Sequence, residues 1–145
     1  MRFFTFFPLM VVPVVIYNVL ALGGATLSTI EAMRLRLDTD MYAVTMTSGS
    51  TWHITPGHML IAGALLMLFF ELIKSTGTGR GAVMNHAFSL ILFIVCLVEF
   101  LLLPAFATSV FFLIMVMTLL DVMAGFMVTI AAARRDFGVG EGFVD

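Results

Sequence analysis

Apolar residues along this chain come in long, nearly unbroken runs rather than at the spacing of half-buried helices or strands. Four runs stand out, at about 3–22, 57–73, 83–103 and 107–133. A spanning helix needs about 20 mostly apolar residues, and each run approaches or exceeds that length. The pattern predicts an all-α integral membrane protein, a four-transmembrane-helix bundle forming one membrane domain over 1–145. Pro8 and Pro13 interrupt the first run, which predicts a retained, kinked helix rather than a cleaved signal peptide. Pro56 stands near the start of the second run, where a helix tolerates proline, and Pro104 stops the third. At about 1.5 Å per residue the fourth run exceeds a hydrocarbon core of about 30 Å, so it must tilt or protrude.

The segment at about 26–55 is patterned differently. Leu35-Arg36-Leu37-Asp38 and Tyr42-Ala43-Val44-Thr45-Met46-Thr47 alternate apolar and polar, and Thr51-Trp52-His53-Ile54 is a third short candidate. Alternation at period two reads as strands. Asp38-Thr39-Asp40 and Ser48-Gly49-Ser50 supply turn residues between them. The expectation is a small β-meander in the first external loop, with Trp52 near the interfacial belt; an irregular lid is the alternative. This order of elements resembles claudin-like four-helix proteins, which also carry a sheet in the first external loop. The resemblance is one of topology alone, because the paired cysteines of that pattern have no counterpart: Cys96 is the single cysteine.

Composition agrees with a membrane setting. The chain is 61% hydrophobic and 11% charged, against about 45–50% and about 25% in soluble domains. Its net charge of -2 gives no basic patch for nucleic acid. Charge placement also orients the helices. Arg2, Lys74, Arg80, Arg134 and Arg135 fall at the N-terminus, the second connection and the C-terminus, which four spans place on one side. Only Arg34 and Arg36 lie on the other, offset by Glu31, Asp38 and Asp40. The positive-inside rule then predicts N-in, C-in topology, with both termini cytoplasmic. A bacterial inner membrane is the expected location. The connection STGTGRG at 75–81 lacks the Lys-Ser/Thr ending of a phosphate loop and follows a helix.

Three apolar runs each hold one carboxylate: Glu71, Glu99 and Asp121. Charge inside a bilayer is expensive and is usually kept for a reason. In an antiparallel hairpin of the second and third helices, Glu71 is level with His86 near one face and His58 with Glu99 near the other. Residues 58 and 71, and 86 and 99, are both thirteen apart, which suggests two acid–imidazole pairs. Thirteen residues rotate about 220° around a helix, so at most one pair can meet directly. Glu71 can instead snorkel and pair with Lys74, three residues on. Asn85, Ser89, Cys96 and Glu99 fall within about 40° of one line on the third helix. Such a stripe is either hydrogen-bonding glue between helices or a path for a proton or small solute. Asp121 lies deepest, with Thr118 and Gly125 on its side of the fourth helix. It is a packing hydrogen bond, a proton-relay group or a subunit contact.

No Ser-His-Asp order, nucleophile elbow or HExxH is present, so the expectation is a non-enzymatic protein. Its expected partners are the lipid bilayer and other membrane subunits or copies of itself, as an accessory, structural or assembly subunit. One alternative is a proton-coupled transporter or channel subunit using Glu99 and Asp121. Another is a quinone-, lipid- or haem-handling redox component using His86 or His58. His53 and His58 could share copper with Met59 or Met46, but with twelve methionines such proximity is ordinary. No resident metal or cofactor is expected, haem and copper being the only candidates.

Overall fold

The computed structural model describes residues 7–23, 29–74 and 80–138. In order, these form α1 (Val11–Leu22), α2 (Ile30–Asp38), β1 (Tyr42–Thr45), β2 (Thr51–Ile54), α3 (Pro56–Lys74), α4 (Arg80–Leu102), a 3-10 turn (Pro104–Phe106) and α5 (Ser109–Gly138). Most of the glycine-rich connection at 75–81 lies outside the described residues. Three helices are long and apolar enough to cross a membrane, through Pro56–Lys74, Met84–Leu102 and Ser109–Val128.

The first apolar run differs from expectation. Its helix α1 has 12 residues, or about 18 Å, and positions 3–6 of the run lie outside the described residues. No proline interrupts the middle of this helix. Pro8 precedes it, and Pro13 falls in its first turn, where backbone donors have no intrahelical acceptor. A missing amide costs little there. Pro13, Val14, Tyr17 and Ala21 form its buried stripe.

The expected meander is a two-stranded hairpin. Leu35-Arg36-Leu37-Asp38 is the last turn of α2, not a strand. The Thr29 hydroxyl accepts from the Ala32 amide at 3.2 Å and caps that helix. Glu31 in its first turn and Arg36 in its last suit the helix dipole. Met33 and Leu37, four apart, face inward. An alternation only four residues long could not distinguish this helical spacing from a strand. Beyond it, β1 and β2 pair antiparallel, Tyr42 opposite Ile54 and Val44 opposite Trp52. Their turn is closed by Met46 N–H to Ser50 O at 2.8 Å. Gly49, at φ 84°, takes the left-handed position that other residues rarely adopt.

Helix α5 is the centre of the fold. It packs most extensively on α4, next on α3, and also touches α1. Half of its span is buried (50%), against 22% for the spans of α3 and α4. Those two helices turn Leu65, Phe69, Ile91 and Ile94 outward, as a lipid-facing surface requires. Lipid is as apolar as these side chains, so close packing and polar contacts must hold the helices together.

One such contact ties α1 to the turn between α4 and α5. Tyr17 is fully buried. Its hydroxyl donates to Ala105 O at 3.0 Å and lies 2.6 Å from Thr108 Oγ1. Thr108 Oγ1 also accepts the Phe111 amide at 3.2 Å, capping α5. The protons fit one direction: Phe111 N–H to Thr108, Thr108 O–H to Tyr17, and Tyr17 O–H to Ala105. The rings of Phe106 and Phe111 pack on Tyr17 at 5.4 and 4.7 Å between centroids. Tyr17→Phe keeps the ring but leaves the Ala105 carbonyl unpaired. It should cost about 1–3 kcal/mol, read as a lowered thermal midpoint in detergent with unchanged helical circular dichroism.

Candidate functional site

The polar groups expected inside the membrane gather mainly between α3, α4 and α5. Glu71, Asn85, His86, Ser89, Thr118 and Asp121 are all buried. The cluster lies toward the end of the fold that carries the α3–α4 connection and the start of α1. Glu99 and His58 belong to the opposite end.

Glu71 is the most bonded of the three acids. The Leu9 amide, in the turn leading into α1, donates to its Oε2 at 2.7 Å. Lys74 Nζ lies 3.1 Å from Oε1 and 3.2 Å from Oε2. Asn85 Nδ2, from α4, donates to Oε1. The expected Glu71–Lys74 pair is present, and the carboxylate is completely buried within the protein. The ammonium also donates to Phe7 O at 2.7 Å. Lys74 thus bonds to both the start of the chain and the acid that holds it.

Asp121 finds its neighbour on α4. Ser89 Oγ donates to its Oδ2 at 2.6 Å, and also lies 3.1 Å from Asn85 O, four residues back on its own helix. Thr118, one turn away, donates to Met115 O at 2.7 Å within α5 and is also hydrogen-bonded to Cys96 of α4. His86 lies against α5 at Gly125. A Cβ there would fall 2.1 Å from its Nδ1 and 2.3 Å from its Cγ, so glycine makes room for the ring. Four buried atoms in this region have no hydrogen-bond partner among the described residues: Asn85 Oδ1, both ring nitrogens of His86, and Asp121 Oδ1. Unpaired buried polar atoms are uncommon in folded proteins. The cluster therefore has hydrogen-bonding capacity beyond what helix packing uses.

Neither acid–imidazole pair is a hydrogen-bonded contact. Asn85, not His86, reaches Glu71. One position around α4 is a rotation of about 100°, enough to turn the imidazole toward Gly125 instead. At the other end, Glu99 is half-buried and accepts from Asn18 Nδ2 of α1 at 3.3 Å. His58 is exposed and turned back on its own helix start. Its Nδ1 accepts the Thr55 amide and Thr55 Oγ1 accepts the His58 amide, both at 3.3 Å. This is the reciprocal arrangement of a capping box, with imidazole in the place of the usual Glu or Gln. The third histidine, His53, lies 2.6 Å from Asp40 Oδ2 in the hairpin region. Among the described residues, no three His, Cys, Asp or Glu side chains come together as a metal site.

Sequence reasoning missed Tyr17, Asn18 and the Leu9 amide. The first two were accessible by the rule applied to the acids, since they are polar groups inside an apolar run. The Leu9 amide carried no signal, because every residue but proline has one.

Two substitutions test the cluster. Glu71→Ala removes one acceptor from Leu9, Lys74 and Asn85 together. It should cost about 3 kcal/mol, the lower end for breaking a buried pair, because Lys74 can turn toward water. Denaturant titration in detergent measures it. Gly125→Ala should also destabilise, and His86→Ala should restore most of that loss by vacating the space. Additive losses in the double variant would show that the ring does not occupy it.

No family model, curated protein or solved structure matches the chain.

Proposed function

We propose that the chain is a small membrane protein with four membrane segments, a helix bundle with both termini cytoplasmic. On this reading it works without catalysis, as an accessory, structural or assembly subunit of a larger membrane complex or a homo-oligomer. A bacterial inner membrane fits its charge placement. The observation that carries this reading is how Glu71 is used. A fully buried acid has its acceptor sites taken by Leu9, Lys74 and Asn85 of the same chain. Ser89–Asp121 and Asn18–Glu99 likewise join one helix to another. These are the roles polar groups play when they hold a membrane bundle together.

A second reading is favoured by the unpartnered Asp121 Oδ1 and the two free ring nitrogens of His86. Buried groups with unspent capacity within membrane spans are what a proton-handling transporter subunit requires. Glu99 joins that reading only at a distance. Ten positions on α4 separate it from Ser89, about 15 Å along the axis, with Cys96 and Thr118 between.

Extraction in mild detergent followed by native mass spectrometry tests the first reading. A stoichiometric partner chain or a discrete multimer is expected, and a lone monomer would count against it. Asp121→Asn separates the two readings. A subunit whose Asp121 only bonds Ser89 should keep its assembly, since the amide can accept the same hydrogen bond. A proton carrier should lose pH-driven flux in liposomes.

A further inference from the structure

The register of the hairpin sorts its side chains completely. Paired residues of an antiparallel ladder share a face, and the faces alternate along each strand. Tyr42, Val44, Trp52 and Ile54 therefore lie on one face, and Ala43, Thr45, Thr51 and His53 on the other. The first face is wholly apolar or aromatic. Yet Tyr42 is 67% exposed, Val44 43% and Trp52 51%. No other part of the described chain covers it. An isolated two-stranded hairpin is marginal in water at best, and an uncovered face of this kind needs something against it.

What covers it follows from where the hairpin is attached. Only Thr55 separates Ile54 from Pro56, the first residue of a membrane-spanning helix. The hairpin is therefore held at the level where α3 enters the bilayer. Met41, directly before β1, lines an apolar groove of about 450 Å³ with Val12 and Ile16 of α1 and Met59 and Gly63 of α3. The hairpin thus adjoins an apolar groove on the outer surface of α1 and α3. The strands carry no Lys, Arg, Asp or Glu, and the His53–Asp40 pair belongs with the polar face. Trp and Tyr are the residues that favour the membrane–water interface.

We propose that β1–β2 is an interfacial paddle. Its Tyr42–Val44–Trp52–Ile54 face rests on the outer edge of the phospholipid acyl region, and its polar face looks into water. Because the contact is apolar, it needs no anionic lipid and is indifferent to salt. The hairpin is then an anchor that fixes the depth of α3, rather than a surface held out for a soluble protein.

Trp52 is the single tryptophan of the sequence, so intrinsic fluorescence reports this position alone. The full chain is reconstituted in phosphatidylcholine liposomes at low protein density, with iodide on both sides of the membrane. Lipids brominated high on the acyl chain should quench Trp52 several-fold more than lipids brominated near the bilayer centre, and iodide should quench it weakly, at low and high salt alike. Val44→Asp, on the apolar face, should raise iodide quenching several-fold. Thr45→Asp, on the opposite face, should leave it unchanged, with circular dichroism confirming intact helices in both. Full iodide access without lipid quenching would overturn the proposal. So would shielding that appears only when protein density is raised, which would assign the face to a second copy, or only when a partner protein is added.

Discussion

A carboxylate removed from water must replace its hydration with donors, and Glu71 draws them from three separate elements: Leu9 before α1, Lys74 on α3 and Asn85 on α4. An apolar contact between helices tolerates sliding and rotation in a membrane, because lipid offers the same contact elsewhere. A buried charge with fixed donors does not. Moving α4 by one residue would turn Asn85 away by about 100° and take from Glu71 its donor on α4. The position of α4 on α3, and of the chain start against both, follows from this one side chain. Lys74 adds to it by bonding Phe7 O as well as the acid.

The opposite end of the fold is held mainly by neutral groups. Tyr17, Thr108 and Ala105 form a directed chain of hydrogen bonds that fastens α1 to the turn before α5. Pro104 makes that turn necessary by ending α4, and Thr108 restarts the chain as a capped helix. Glu99 and Asn18 support the same junction. A short α1 is therefore pinned near both ends, while α5 supplies the surface on which the longer helices pack. Beside the Glu71 junction, the Asp121–Ser89 bond adjoins atoms of Asn85, His86 and Asp121 that are unpaired among the described residues.

The polar residues divide by how local their purpose is. His58 looked like a candidate for chemistry because it is polar beside an apolar run, yet it is satisfied within its own helix cap. Glu71, Ser89, Asp121 and Glu99 reach across helices. Spacing along a helix could put Asn85, Ser89, Cys96 and Glu99 on one side of α4, but not say what stood opposite. The acid–imidazole pairing failed for that reason. Equal depth is a necessary condition for contact, whereas the rotation of each helix about its own axis decides which of two adjacent residues makes it.

The sequence by itself determined the membrane setting, because runs of apolar residues about 20 long have no other economical use. It also located the helix ends near Pro56 and Pro104, where proline chemistry is local, and drew attention to nearly every polar residue that proves to be buried. It misread Leu35–Asp38, where four residues were too few to separate a strand from a turn of helix. Tertiary structure alone decided the rest: that Glu71 is wholly buried, that His86 turns to Gly125, and that Tyr17 latches α1. These depend on contacts between residues tens of positions apart, and a periodicity read along one segment carries no information about the azimuth of another.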